Sequence, residues 1–378
     1  MTRSVRIETI EVVAAHSSVF VRITTDNGMI GIGESTAFAF PLAVVEVVTA
    51  LRSSLIGADA FEVGRHWLRT YRAMGWRGLA LGGAISAIDQ ALWDFRGRYY
   101  DEPVWQLLGG KVRDRVRAMK VISTGTTEEV VAAAREAQDE GYTAIKVLLH
   151  QHEHHRLGHA ERIADLVERL RAIRAATGDS MDIGVELHRN MQPGNSTALI
   201  RELAQFRPLF VEDPIPPDSA MSFGEVSAKS LVPMAAGERN TSIYEFREYV
   251  ELGGVSFIRP DVGLAGGFTH LLKICALAEA HHQGIIPHAV PSGPVATMAH
   301  IHLGMSVANW EVQEHVPQNH APFTQMVDRV PVVVDGFLEP FDAPGLGMTL
   351  DMQSLNDMPV TVHAVSPDLR SDGSVALR

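Results

Sequence analysis

Gly184-Val185-Glu186-Leu187-His188, Phe210-Val211-Glu212-Asp213-Pro214 and Ala235-Ala236-Gly237-Glu238-Arg239 share one design, a short apolar run that ends near a glutamate. Glu186, Glu212 and Glu238 are separated by 26 residues each time. An interval of that size holds one β-strand and one crossover helix. Equal intervals therefore predict three consecutive βα units, each with its acid at the same end of the strand.

Similar apolar, β-branched runs extend on both sides of these three. Strands are expected at 116–122, 144–149, 182–186, 209–212, 233–236, 255–258, 285–288 and 310–313, with amphipathic stretches between most of them. One such stretch, 128–139, is introduced by Thr126-x-x-Glu129, a capping box, and stopped by Gly141. Eight strands with intervening helices fit a closed parallel barrel of the α/β class. An open doubly wound sheet is the competing arrangement, but it carries a Gly-rich phosphate turn after its first strand, and none follows Ile122.

The flanking segments have different periods. Residues 5–34 read as strands, with Asn27-Gly28 as a hairpin turn between Val19-Phe-Val-Arg-Ile-Thr-Thr and Met29-Ile-Gly-Ile-Gly. From Pro41 to Trp105 the spacing becomes helical, as in Ala84, Ile85, Ile88, Ala91, Leu92 and Phe95. The tail from Val330 has no long helical period and reads as loops and strands that return to the N-terminal unit. The expected division is an α+β unit over 1–112, the barrel over 113–318 and a returning segment over 319–378.

Composition limits what this chain does. It has 378 residues, 46% of them hydrophobic and 21% charged, as in an ordinary globular protein. Its 33 Lys+Arg against 45 Asp+Glu, a formal charge of -12, is the wrong balance for gripping a nucleic-acid backbone. No apolar run reaches the roughly 20 residues of a membrane span, no signal peptide is expected, and the lone Cys275 favours a reducing compartment. The expectation is a cytoplasmic protein. Cys275 itself falls on an apolar helical face and reads as core.

Three convergent carboxylates repel unless a cation joins them, and an all-oxygen donor set favours a hard ion such as Mg²⁺. His188 lies two residues after Glu186, so in an extended strand both would face the same side. Asp261 and His288 end the next two strands, where a carboxylate beside an imidazole prepares a general base. At the last strand Glu311 and Glu314 fall on opposite faces, so one of them enters the barrel mouth.

In this register Glu186, Glu212 and Glu238, followed by Arg259-Pro-Asp261, Gly266-Gly267 and Pro287-His288, resemble the enolase superfamily, specifically its mandelate-racemase-type acid-sugar dehydratases. The pattern Ala87-Ile-Asp-Gln-Ala-Leu-Trp-Asp94 extends the resemblance to the N-terminal unit. It implies a modified (β/α)7β barrel under an α+β capping domain completed by the tail. It implies Mg²⁺ on Glu186, Glu212 and Glu238, and His288 with Asp261 as the base that removes the proton α to a carboxylate. His188 would protonate the departing 3-hydroxyl, and Glu314 would hydrogen-bond the substrate carboxylate or its enediolate. The implied substrate is a sugar acid (aldonate) converted to a 2-keto-3-deoxy acid, by a protein that is a homo-oligomer. A cycloisomerase or epimerase of a related acid, or an inactive metal-binding member, are the alternatives.

Two residues depart from the family pattern. The second strand reads Lys146-Val-Leu148 where racemases carry Lys-x-Lys, which disfavours two-base racemisation. Glu186 stands where the first metal ligand is usually Asp, lengthening that arm by one carbon. Among weaker candidates, His150-Gln-His152-Glu-His154-His155, with His159 nearby, reads as a solvated polar loop. Phe38, Phe40, Trp76 and Arg77 lie where the cap closes over the barrel in relatives, with packing expected for Trp76. Arg189, Asn190, Arg239 and Arg259 adjoin ligand-bearing strand ends, as partners for the substrate carboxylate or for neighbouring acids.

Overall fold

A computed structural model describes residues 4–73, 75–123, 125–252, 254–362 and 368–377. The chain begins with a three-stranded antiparallel sheet, β1 (Ile7–Ala15), β2 (Ser18–Thr25) and β3 (Ile30–Ser35). The β2–β3 turn is the expected Asn27-Gly28, with Gly28 at φ 80° and the Asn27 side chain accepting from the Met29 amide. Helices Pro41–Leu55, Val63–Ala73 and Leu79–Tyr100 follow. The last of these lies directly on β3. A Cβ on Gly31 or Gly33 would sit 1.9 Å from the Ala91 carbonyl oxygen or 2.0 Å from that of Ala87, so only glycine permits the contact.

The barrel strands are β4 (Val116–Ile122), β5 (Ala144–Leu148), β6 (Asp182–Glu186), β7 (Phe210–Glu212), β8 (Met234–Ala236), β9 (Phe257–Ile258), β10 (Gly284–Ile285) and β11 (Gln313–His315). They pair in parallel in chain order, and β11 pairs with β4. The ring closes where Ile285 bridges Trp310, through Ile285 N to Asn309 O at 2.8 Å and Glu311 N to Ile285 O at 2.9 Å. A helix follows each strand from β4 to β10. After β11 the chain runs instead to β12 (Phe337–Leu338), antiparallel to β4. This is the (β/α)7β arrangement expected from the sequence. The capping box forms as read: Thr126 N donates to Glu129 Oε2 at 2.7 Å, and Glu129 N to Thr126 Oγ1 at 3.3 Å.

Inside the barrel, Met119, Ala144, Phe210, Ala235, Ile286 and Val312 form one buried layer. Burying a side chain such as Phe210 or Ile286 contributes roughly 1.5–3 kcal/mol each. Two positions further along β5, β7 and β11 the same inward face carries Lys146, Glu212 and Glu314. The apolar layer is thus the floor under a charged one.

The segment beyond 319 runs against the N-terminal unit. Leu346 N donates to Asp94 Oδ1 at 2.6 Å, Arg98 Nη2 to Met348 O at 2.6 Å and Thr361 N to His16 O at 2.7 Å. It carries less strand than its valines suggest, since Val332, Val334 and Val362 are exposed. It also holds a short helix, Met352–Asp357, begun by the Asp351 side chain accepting from Ser354 N.

Candidate metal and acid-base site

Glu186 and Glu212 end neighbouring strands and are register partners. Glu238 lies two residues beyond β8, after Gly237, whose φ of 116° turns the chain inward. All three are buried, and one carboxylate oxygen from each lies within 4.8 Å of the others. The longer arm of Glu186 is held locally, because its Oε1 accepts the His188 amide at 2.7 Å.

Cations and further acids surround the three. Lys146 Nζ lies 3.3 Å from Glu186 Oε2, 3.1 Å from Glu212 Oε2 and 2.5 Å from Glu314 Oε1. Arg259, wholly buried, pairs with Glu212 through Nε and with Glu314 Oε2 through Nη2 at 2.8 Å. Arg189 Nη1 reaches Glu238 Oε1 at 2.8 Å and Asp213 Oδ2 at 3.8 Å. Among these buried groups five carboxylates, those of Glu186, Glu212, Asp213, Glu238 and Glu314, face three cations, Lys146, Arg189 and Arg259. With all five ionised two positive charges are lacking, which a divalent cation would supply; protonation of Glu212 and Asp213 is the other way to remove the excess.

The buried acids respond to that imbalance. Burial pushes Glu186 up, takes Glu212 to about 8 despite the Arg259 guanidinium, and with Glu238 takes Asp213 to about 8. For Glu238 burial is outweighed by His288, Arg189, Lys146 and Arg239, which hold it well below the usual carboxylate range. Likewise Arg259 and Lys146 overcome burial and hold Glu314 at about 2.

Asp261 and His288 lie beyond β9 and β10, three residues past each short strand rather than within it. His288 Nδ1 is 3.0 Å from Asp261 Oδ2. A carboxylate only accepts, so Nδ1 carries the hydrogen and Nε2 is left as the basic nitrogen. That Nε2 faces Glu238 Oε2 at 3.7 Å. Burial lowers the His288 pKa, but Asp261 and Glu238 overcome it and leave the ring more basic than usual.

His188 is also at the site, although not by strand alternation. The strand ends at Glu186, and His188 and Arg189 have φ of 51° and 67°, left-handed conformations that aim the imidazole from a turn. Arg189 Nη2 lies 3.0 Å from His188 Nε2. Burial and that guanidinium lower the ring's pKa to about 3.

Lys146, Glu186, Glu238, His188, His288 and Arg239 line one cavity of about 540 Å³ between barrel mouth and N-terminal unit. The N-terminal unit contributes Thr36, Phe38, Ala39 and Leu79. Arg239 is half-exposed and reaches Glu238 Oε1 at 3.5 Å, whereas Asn190 only braces its turn by donating to Leu187 O. Glu314 faces inward, accepting also from Ala289 N at 2.7 Å, and Glu311 faces outward.

Three expectations need correction. Trp76 does not pack: it is 89% exposed on the loop where Gly78, at φ 124°, turns one helix into the next. Phe40 is exposed too, and Arg77 lies 4.0 Å over the Tyr71 ring, off the cavity. The His-rich segment is not solvated, since His150, His154 and His155 are buried, with His154 Nε2 2.8 Å from Asp165 Oδ2. The sequence reading also gave no role to Lys146. A lysine at an inward position of a buried strand was the available signal.

Comparison with known proteins agrees with this architecture. Residues 4–109 match the mandelate racemase / muconate lactonizing enzyme N-terminal domain, and 129–354 the enolase C-terminal domain-like family. A protein of Verminephrobacter eiseniae named D-galactonate dehydratase is 36% identical over 95% of this chain and 96% of its own. One of that name from Klebsiella pneumoniae is 33% identical over 95% of this chain and 96% of its own. An Agrobacterium radiobacter enolase, a candidate galactarate dehydratase bound to Na and L-malate, superposes with a TM-score of 0.93 at 26% identity, covering 99% of this chain and 100% of that one. The chain belongs to the mandelate racemase / muconate lactonizing enzyme family of the enolase superfamily. Within it, the chain is an enzyme of the dehydratase type, a hydro-lyase.

Proposed function

We propose that this enzyme dehydrates a sugar acid of the aldonate class to the 2-keto-3-deoxy acid, with Mg²⁺ held by Glu186, Glu212 and Glu238. The observation that carries the reading is the sharing of one cavity by Glu186 and Glu238 of the glutamate cluster and by two imidazoles, His288 backed by Asp261 at 3.0 Å and His188. The names of the 33–36% identical relatives support the substrate class.

The donor set fits the metal: three buried carboxylates, all oxygen, in a pocket short of two positive charges when its acids are ionised. Bound there, the cation supplies fixed positive charge against which the negative charge of the deprotonated acid is stabilised. His288 Nε2 takes the proton from C2, and Asp261 holds the imidazolium that results. The C3–O bond then breaks and the oxygen leaves as water, with the proton supplied by His188. The enol that remains becomes the 2-keto acid by gaining a proton at C3 and losing the one on its C2 oxygen. His188 needs a proton before it can give one. An anionic substrate beside it favours the charged ring, against the opposition of Arg189. Glu314, whose two oxygens are taken by Lys146, Arg259 and Ala289 N, would act through Lys146, holding that ammonium in place at the cavity wall, and not by direct contact between two carboxylates.

Racemisation or epimerisation is less well supported. Lys146, the one basic side chain that β5 offers to the cavity, is engaged by three carboxylates, and the neighbouring lining position on that strand is Leu148. The test is a screen of purified protein with Mg²⁺ against mono- and diacid sugars, measuring 2-keto products and solvent deuterium at C2. A 2-keto product supports dehydration. Exchange without elimination, for every acid, replaces it with an isomerase.

A further inference from the structure

We infer that the acid this enzyme prefers ends in an apolar group: a terminally deoxygenated aldonate of the 6-deoxyhexonate type, not a fully hydroxylated hexonate or a dicarboxylic sugar acid. This rests on the dehydratase reading above and narrows its substrate.

The cavity is chemically two-sided. Its ionisable groups, Lys146, Glu186, Glu238, Arg239, His188 and His288, come from the barrel mouth, and in the dehydratase reading they set where the carboxylate, C2 and C3 lie. On this inference the other end of the substrate lies away from them, toward the N-terminal unit, and not along the remaining barrel-side lining of Val121, Ser123 and Leu148. There the lining is Phe38, Ala39 and Leu79, with Leu264 and Val290 from the adjoining barrel loops. Thr36 is the one polar side chain that the N-terminal unit adds, and its buried Oγ1 has no hydrogen-bond partner among the described residues.

This inventory suits some substrates and not others. Thr36 Oγ1 can serve one hydroxyl of the chain. A terminal hydroxyl among Phe38, Leu79 and Leu264 would give up its hydrogen bonds to water without replacement, whereas a methyl group would gain by burial. A terminal carboxylate would fare worse, because it needs a cation. Among the lining residues the permanent cations are Lys146, bound by three carboxylates, and Arg239, which follows directly on Glu238. Both belong to the barrel side.

The expected discrimination is modest, since an apolar pocket rejects an added hydroxyl by roughly 10–100-fold. The experiment gives the Mg²⁺-supplemented enzyme a panel of stereoisomeric hexonates, each paired with its 6-deoxy counterpart, together with the hexarates. Product formation and C2 deuterium exchange are followed. In the pair with the accepted stereochemistry, kcat/KM is expected to favour the 6-deoxy acid by about 10–100-fold, with no turnover of a hexarate. Leu79→Asn, on the N-terminal side of the cavity, is expected to narrow that ratio by improving the hydroxylated acid. Equal or better use of the hydroxylated hexonate, turnover of a hexarate, or an unchanged ratio in Leu79→Asn each overturns the inference and leaves the dehydratase reading intact. Absence of both product and exchange with every acid overturns that reading and the inference with it.

Discussion

The Glu34 carboxylate of β3 accepts the Gly293 amide of the barrel at 2.6 Å, a contact between residues 259 positions apart. Glu34 also accepts from Ala296 N at 2.9 Å and Ser18 Oγ at 2.7 Å, so one buried side chain joins the sheet of the N-terminal unit to the loop that follows His288. Glu34→Ala orphans three donors at once and is expected to destabilise the protein by roughly 2–4 kcal/mol, read as a lower urea midpoint at unchanged slope.

The same residue predicts a pH effect. Burial raises the Glu34 pKa from 4.5 to about 7, so between those values the folded protein binds more protons at this site than the unfolded chain. Its contribution to stability is therefore fully present below 4.5 and is lost as pH rises toward 7. Glu34→Gln cannot ionise, and its stability deficit relative to wild type is expected to shrink as pH rises through that window. A deficit independent of pH would mean that Glu34 does not titrate there.

His288→Asn is expected to reduce both turnover and C2 exchange by at least about 10³-fold while leaving Mg²⁺ affinity, measured by calorimetry, within a few-fold of wild type. Asp261→Asn takes away the partner that makes His288 more basic. The acid limb of its kcat/KM profile is expected to move to lower pH, and the maximal rate to fall.

His188→Asn separates the two halves of the reaction. In the proposed reaction, removal of the C2 proton does not need His188, whereas departure of the 3-hydroxyl does. The variant is expected to exchange deuterium into C2 while forming product at least about 10²-fold more slowly. Parallel loss of exchange and product would give His188 a role in binding instead of protonation.

Much of this arrangement was legible because it depends on spacing. The 26-residue interval between Glu186, Glu212 and Glu238 reflects the repeating βα unit, and the order of Asp261 and His288 follows from the same repeat. Side-chain direction outside regular structure was not legible. His188 reaches the cavity from left-handed turn residues, not from an extended strand, and the His-rich segment is buried by a turn of 3₁₀ helix and by neighbours distant in sequence, such as Asp368, which lies 3.5 Å from His155 Nε2. Trp76 illustrates the converse, since an aromatic on a glycine-flanked loop has no period to reveal that it faces solvent. Lys146 was visible as a residue, but its three partners lie on β6, β7 and β11, and only the closed ring brings them together.

That convergence on Lys146 leads to the last prediction. Its ammonium is the cation shared by Glu186, Glu212 and Glu314, so Lys146→Met leaves buried carboxylates undercompensated. Breaking such a buried arrangement by removing one partner is expected to destabilise by roughly 3–5 kcal/mol when divalent cations are chelated. Protonation of Glu212, already shifted to about 8, offsets part of that loss and makes it smaller at low pH. Mg²⁺ would then supply charge that the variant lacks, and a ligand that binds only the folded state stabilises it by mass action. The rise in denaturation midpoint between EDTA and saturating Mg²⁺ is expected to be larger for Lys146→Met than for wild type. Equal rises in the two proteins would mean that Lys146 and the metal do not act on the same carboxylates.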